Sequence, residues 1–295
     1  MSPWPRRALQ LGSLLFVAAV PVLGLWSVRS DRAWSPEELA WRYSPAGAEA
    51  SGWLTRTFGR PPDGLETWLA GGTWSVRIGP LELTDPLAGL VLVAGGIAPT
   101  GQVLLGVGLV LALHVLVGRF FCGYLCPYGI LSRVVSRLRP LLERVGLAHS
   151  WKVPRGARYG VLIGLLLAAG VGAVPVAWAL PYVATSKAVQ GVFWGGWWTS
   201  AGVVGGLLAA DLLLSPHVVC RSLCPSGALQ RSLGWVRVLR LKALADRACT
   251  KGCHSCEEAC WLGLDPRAGS PNADCDGCGR CVPVCPNNRL TLRLR

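Results

Sequence analysis

The sequence predicts an α-helical polytopic membrane protein, with four transmembrane helices plus a re-entrant or interfacial helix, carrying a small α+β domain at its C-terminal end. Three observations predict it. Hydrophobic residues make up 52% of the 295 and charged ones 15%, with a positive mean hydropathy, a balance outside the range of ordinary soluble domains. The apolar residues gather into runs flanked by arginines, and eight of the twelve cysteines lie between Cys249 and Cys285. The net charge of +13 would suit nucleic acid, but no nucleic-acid motif is present and the arginine blocks fit the positive-inside rule.

The first apolar run, Ala8 to Trp26, follows Arg6 and Arg7, so it is expected to cross with its amino end in the cytoplasm. No A-x-A-like site follows it, which favours an uncleaved anchor over a signal peptide. Residues 27 to 84 are polar, with six arginines against seven acids, and this near-neutral charge suits an outer loop. Its tryptophans include Trp34, Trp41, Trp53, Trp68 and Trp74, and Pro61-Pro62-Asp63-Gly64 and Gly71-Gly72 break it into turns around short helical pieces such as Pro36 to Trp41.

Two apolar stretches follow, Pro86 to Ala98 and Gln102 to Gly118, separated by Pro99-Thr100-Gly101. The first falls short of the roughly 20 residues a crossing needs and reads as the re-entrant or interfacial helix. One crossing puts the segment Arg119 to Arg158, with eight basic residues against Glu143 alone, on the inner side. Tyr159 to Leu180, interrupted by Pro175, is the third expected span, and Pro181 to Trp198 a short outer connection whose Phe193, Trp194, Trp197 and Trp198 form an aromatic belt. Thr199 to Val219 returns to the cytoplasm. Leu229 to Leu244 alternates basic and apolar residues, as a helix lying on the inner leaflet would. The expected segments are thus 1–26, cytoplasmic N-terminus and first helix; 27–101, periplasmic loop with the re-entrant helix; 102–246, the membrane domain with helices two to four; and 247–295, the cysteine-rich domain.

That last domain reads as a ferredoxin module. Cys275, Cys278, Cys281 and Cys285 have the spacing C-x2-C-x2-C-x3-C with Pro286 behind, in which three thiolates grip one [4Fe-4S] cluster and the fourth crosses to a second. A zinc ribbon would use two separated C-x2-C knuckles, and a disulfide framework does not suit a reducing compartment. By the crossing rule, one cluster takes Cys249, Cys253, Cys256 and Cys285, and the other Cys275, Cys278, Cys281 and Cys260. The first run departs from the pattern: it opens C-x3-C, and Trp261 stands where proline is usual.

The other four cysteines end the second and fourth spans, in Gly118-Arg119-Phe120-Phe121-Cys122-Gly123-Tyr124-Leu125-Cys126-Pro127 and Val219-Cys220-Arg221-Ser222-Leu223-Cys224-Pro225. These are internal copies. A C-x3-C pair puts both sulfurs on one face of a helical turn, which the proline then ends. Two pairs side by side would make a four-thiolate site for a further cluster; free or transiently disulfide-bonded thiols would use the same residues.

Paired C-x3-C-P motifs ahead of a two-cluster tail resemble the NapH/MauN family of membrane ferredoxin-type proteins. Leu83-Thr84-Asp85-Pro86-Leu87, Pro154-Arg155-Gly156-Ala157-Arg158-Tyr159 and Cys224-Pro225-Ser226-Gly227-Ala228-Leu229 look like family segments too. The longer outer loop and the irregular first cysteine run depart from the family. The resemblance implies a multi-pass protein of the bacterial inner membrane, a component of a quinol dehydrogenase. It would pass electrons from the quinone pool to a periplasmic or membrane-anchored redox protein, ferredoxin-like or cytochrome, in a nitrate-reductase or methylamine chain.

Two ionisable residues lie inside expected spans at matching depth: His114, eight residues before Cys122, and Asp211, nine before Cys220. Intramembrane acids mark function by default, so both are candidates for handling quinol protons; a mutual structural ion pair is the plainer alternative. His217, at the membrane exit, reads as interfacial. Two rival functions use the same residues. A metal-centre or oxidase assembly factor would handle copper on the C-x3-C-P thiols, since soft thiolates suit Cu(I), and a redox sensor would show no quinol-dependent turnover.

Overall fold

Helix α1 runs from Trp4 to Asp31 with Pro21 inside it, and its Arg6–Val28 stretch is long and apolar enough to cross a membrane. The computed structural model describes residues 4–31, 44–62, 65, 69–71, 73–172, 180–234, 237–250, 252–268 and 273–294. The expected helical piece Pro36 to Trp41, the break at Pro175 and the tryptophans Trp34, Trp41 and Trp68 lie outside those residues. Two compact units emerge: residues 12–110 with 165–208, and residues 1–11 with 111–164 and 209–295.

In the first unit, Ser44 caps helix α2 (Pro45–Phe58) by accepting from Gly47 N, with Pro45 in the first turn, where its missing N–H costs nothing. The segment expected on the outer side then forms a three-stranded antiparallel meander, β1 (Leu69–Gly71), β2 (Ser75–Ile78) and β3 (Leu81–Thr84). The sequence reading held only turns and helical pieces here. The strands are three or four residues long, too short for alternation to stand out. They are stitched by Ser75 Oγ to Glu82 Oε1 at 3.0 Å and to Thr84 Oγ1 at 3.0 Å. Asp85 caps helix α3 (Pro86–Ala94) through Leu87 N at 2.7 Å, which gives the Thr84-Asp85-Pro86-Leu87 segment its local logic. Helix α4 (Gly101–Val117) follows. A Cβ at Gly106 would overlap the Glu82 carbonyl oxygen, so only glycine lets α4 approach β3 this closely.

Helix α7 (Ala157–Gly170) ends within this unit, after α5 (Pro127–Val135) and α6 (Arg139–Arg144) of the other unit. The expected outer connection 181–198 is instead largely helical. Helix α8 (Pro181–Trp194) starts with proline in its first turn and buries Pro181, Tyr182, Val183, Ala184 and Thr185. A short connection ending in an aromatic belt is what the sequence suggests, but an apolar first turn with a proline start is a helix signal. Ser44 bonds the Phe193 carbonyl at 3.0 Å, and Trp194 Nε1 donates to Pro21 O at 3.0 Å, so α8 is tied to α2 and α1. Helix α9 (Trp197–Leu213) then begins, with Trp197 and Trp198 stacked at 3.7 Å.

The second unit holds the ends of α4 and α9, helix α5 (Pro127–Val135), the short helix α6 (Arg139–Arg144), helix α10 (Pro225–Gly234) and the cysteine-rich tail. The buried Arg139 donates to Leu212 O at 2.8 Å, and His149 N and Trp151 N donate to Leu213 O and Leu214 O at 2.7 and 2.9 Å. Three carbonyls at the α9 end that lack helical partners are thereby satisfied. Residues 229–244 are not one amphipathic helix. Helix α10 stops at Gly234, and Leu239–Ala243 is strand β4, paired antiparallel with β5 (Leu290–Leu294). Leu239-Arg240-Leu241-Lys242 alternates with period two, which is the strand period.

Among the described residues α1 alone is long enough to cross unaided; α4, α7 and α9 are apolar but have 17, 14 and 17 residues.

Candidate functional site

The two C-x3-C-P motifs adopt one local structure twice. Phe121–Leu125 and Val219–Leu223 are single π-helical turns, closed by Cys126 N donating to Phe121 O at 2.8 Å and Cys224 N to Val219 O at 2.7 Å. The sequence reading put the thiols on an ordinary helical turn; the wide turn is an inserted-residue geometry common at functional sites. Cys126 (φ −67°, ψ 113°) and Cys224 (φ −68°, ψ 116°) are extended, as the residue before proline must be, and helices α5 and α10 start immediately behind them. Gly129 N donates to Cys126 Sγ at 3.4 Å, so the second thiol of the first motif also caps the helix that follows.

The two motifs are brought together: the Arg119 guanidinium, ahead of the first turn, stands 4.0 Å from Cys122 Sγ and lies against Gly227 of α10, behind the second turn. Cys122 donates to Gln230 Oε1 at 3.2 Å. Burial pushes Cys224 up to about 12 and Cys126 and Cys220 well above the ordinary thiol value. Without a bound cation these groups therefore stay neutral at physiological pH.

In the tail, Cys249, Cys253, Cys256 and Cys285 line one recess, and Cys260, Cys275, Cys278 and Cys281 line another. The last cysteine of each run thus joins the first three of the other. All twelve cysteines are free of disulfides. Among the described residues no three His, Cys, Asp or Glu side chains are drawn together tightly enough for a single ion; the thiols ring their recesses instead. Main-chain amides reach the sulfurs: Leu264 N to Cys260 at 3.4 Å, Gly277 N to Cys275 at 3.4 Å and Arg289 N to Cys285 at 3.3 Å. Four thiols around an apolar recess, with N–H groups aimed at sulfur, fit a [4Fe-4S] cluster. Leu241 and Ala243 of β4 and Leu290 of β5 pack on Cys256, Cys281 and Cys285, so the ladder that closes the tail also walls its recesses.

A buried charge cluster docks the tail. Asp274, next to Cys275, meets Arg158 at 2.7 Å, Arg231 at 2.7 Å and Arg119 at 3.4 Å. Arg237 donates to Cys275 O at 2.6 Å, and Tyr124 of the first π turn donates to Gly277 O at 3.1 Å. Trp261, the residue standing in for proline, is buried, donates to Asp276 Oδ2 at 2.8 Å and lies under the Arg133 guanidinium. Around it Leu262 and Leu264 pack with Cys220 of the quartet and with Cys260, Cys275 and Cys278 of the nearer recess. One apolar cluster therefore touches both sets of thiols.

Asp211 is buried and both of its carboxylate oxygens accept hydrogen bonds. Oδ2 accepts from Tyr128 OH at 2.9 Å and Ser132 Oγ at 2.6 Å, and Oδ1 accepts from Val219 N at 2.9 Å. His114 is buried in the last turns of α4 and is not among these partners, so the pair does not form the ion pair weighed from sequence. His217, expected at the interface, is buried with its Nδ1 2.8 Å from Ser132 Oγ. Tyr128, Ser132, Asp274 and Trp261 were not picked out as a site because their partners lie tens of residues away in sequence.

Comparison with known proteins bears on the motifs. The family described as "4Fe-4S binding domain" matches residues 99–145 and again 195–243, one match around each C-x3-C-P turn. The chain is 30% identical over 241 residues to the ferredoxin-type protein NapH of Escherichia coli K12, covering 77% of this chain and 81% of that protein. It is 31% identical over 211 residues to the methylamine utilization ferredoxin-type protein MauN of Methylorubrum extorquens AM1, covering 66% and 70%. This chain belongs to the NapH/MauN family of ferredoxin-type proteins. The NapH of Haemophilus influenzae is 29% identical over 74% of the chain and 78% of that protein. No solved structure matches. Membership fixes the chemistry at its coarse level, iron–sulfur electron transfer.

Proposed function

We propose that this protein is a four-span inner-membrane electron carrier, with both ends in the cytoplasm, that oxidises quinol and relays the electrons to a periplasmic or membrane-anchored redox partner. The observation that carries this reading is the apolar cluster around Trp261, which touches the thiol quartet at the inner helix ends and the thiols of the nearer tail recess together. The quartet would hold a cluster of its own between the quinol site and the two tail clusters. Bound clusters at these twelve thiols supply one-electron redox chemistry. The chain's residues do the rest: Arg119 neutralises thiolate charge, Asp274 and Trp261 fix the spacing, and Asp211 accepts a quinol proton, with His114 a second candidate.

The membrane topology rests on α1, α4, α7 and α9 and on their outward leucines, among them Leu104, Leu105, Leu109, Leu116 and Leu167, a surface that suits lipid. A hydrophobic helix of 17 residues is at the lower limit of a span. The four segments 1–26, 27–101, 102–246 and 247–295 are its functional division, and the NapH and MauN relatives make nitrate-reductase-type and methylamine-type chains the first acceptors to try.

The test is anaerobic mixing of the full-length protein with a reduced short-chain quinol. The iron–sulfur absorbance should bleach, and Asp211→Asn should slow the bleaching at unchanged iron content. A protein that dithionite reduces but quinol does not would overturn quinol oxidation.

A further inference from the structure

Asp211 is one end of a hydrogen-bonded chain that leads toward the tail. Its Oδ2 lies 2.6 Å from Ser132 Oγ, which lies 2.8 Å from His217 Nδ1. All three are buried, at 1%, 0% and 7% exposure, and His217 is the most exposed of them. The imidazole stands edge-on to Trp261, 5.2 Å between centroids. His217 also has a backbone φ of 55°, a left-handed conformation that non-glycine residues rarely adopt and that persists where surrounding structure enforces it. Three contacts enforce it here: Ser132 holds the ring, Trp261 covers it, and the His217 carbonyl accepts from Arg221 N at 2.9 Å. The charged groups acting on the ring are Arg133, Arg221, Arg280 and Arg139.

We infer that Asp211, Ser132 and His217 form a proton relay that clears the quinol proton from Asp211 to the cytoplasmic side; this rests on the quinol reading above. A serine hydroxyl has one hydrogen, so the chain has two directions. In one, His217 Nδ1–H donates to Ser132 and Ser132 to the Asp211 carboxylate. In the other, protonated Asp211 donates to Ser132 and Ser132 to an unprotonated Nδ1, with the ring proton on Nε2. Quinol oxidation releases two electrons, taken by the iron–sulfur centres, and two protons; each in turn forms the Asp211 O–H bond as a quinol O–H breaks, the second after the relay has cleared the first. Asp211 then gives that proton to Ser132 as Ser132 gives its own to Nδ1. The imidazolium loses its Nε2 proton to water, leaving the carboxylate and the first hydrogen-bond direction; exchange of ring protons with water resets the tautomer. Tyr128, the second donor to Oδ2 at 2.9 Å, positions the carboxylate and does not extend the path.

The test is quinol-induced infrared difference spectroscopy on full-length protein, with the protonated-carboxyl band assigned by its loss in Asp211→Asn. In wild type the band should rise and decay within a turnover. In Ser132→Ala and His217→Gln the proton should stay on Asp211: the band should persist and quinol-driven reduction should slow at least tenfold, while dithionite reduction and iron content are unchanged. Ser132→Thr, which keeps the hydroxyl, should restore decay and guards against a mere packing defect. Band decay at the wild-type rate in both variants, or a Ser132→Thr protein as slow as Ser132→Ala, would overturn the relay with the quinol reading intact. Absence of quinol-driven reduction in wild type itself would overturn both.

Discussion

Asp274→Asn keeps the shape of the docking cluster and removes its one negative charge. Arg119 and Arg158 are 2% and 1% exposed, Arg231 is 31% exposed, and all three salt-bridge to this carboxylate. Breaking a buried pair by deleting one partner costs about 3–5 kcal/mol, because the other charge is left uncompensated. Here the fully buried arginines carry that cost, while Arg231 is partly screened by water and contributes under about 1 kcal/mol. At roughly 2 °C or more per kcal/mol for a chain of this size, Asp274→Asn should lower the unfolding midpoint by at least about 6 °C in detergent, read by light scattering at fixed scan rate. Arg231→Gln should lower it by no more than about 4 °C. Because Asp274 adjoins Cys275, the loss should come with weaker retention of iron in the nearer recess. Equal, small shifts in the two variants would refute the view that buried arginines anchored on Asp274 hold the tail in place.

Other outcomes follow from single contacts. In cluster-free protein, alkylation followed by mass spectrometry near pH 8 should label Cys253 ahead of Cys224 and Cys281. Ser255 hydrogen bonds hold the Cys253 thiol below its ordinary value, whereas burial pushes the other two up to about 12, so their thiolate fraction, the reactive form, only becomes appreciable as pH rises toward that value. The reverse order would contradict the burial argument. Gly106→Ala should destabilise by at least about 1–3 kcal/mol through overpacking, because it meets Glu82 O, while Gly108→Ala meets nothing within 4 Å and should be neutral; matched melting curves compare them. Cys285→Ser should cost the iron of the recess lined by Cys249, Cys253 and Cys256 and spare the other, visible as loss of one of two interacting paramagnetic signals.

Much of this molecule is legible in its sequence because its strongest signals are local. Each cysteine run, each C-x3-C-P motif and the Asp85-Pro86 helix start lies within about a dozen residues, and each apolar run is one continuous stretch. What escaped is what needs distance or fine periodicity. Leu239 to Ala243 alternates as a strand, but its partner is Leu290 to Leu294, and a basic-apolar alternation reads equally well as an interfacial helix until that partner is seen. The three short strands of the outer segment are below the length at which a period declares itself. The π turns add one residue to a helical turn, which spacing alone does not separate from an α-turn. Asp274 has no local feature that marks it out; its arginines sit 43 to 155 residues away. His217 looks interfacial because it stands at the membrane exit of the expected fourth span, and only the fold brings Ser132 and Trp261 onto it.

The central claim is that the quartet of Cys122, Cys126, Cys220 and Cys224 holds a cluster of its own beside the tail. Iron quantified per chain in anaerobically purified full-length protein tests it most directly, together with the same measurement on the Cys122→Ser/Cys220→Ser variant. At four irons per cluster, the account predicts about twelve irons falling to about eight, with a change in the visible and paramagnetic spectra. About eight irons in both proteins, with superimposable spectra, would contradict it and leave the four residues as thiols.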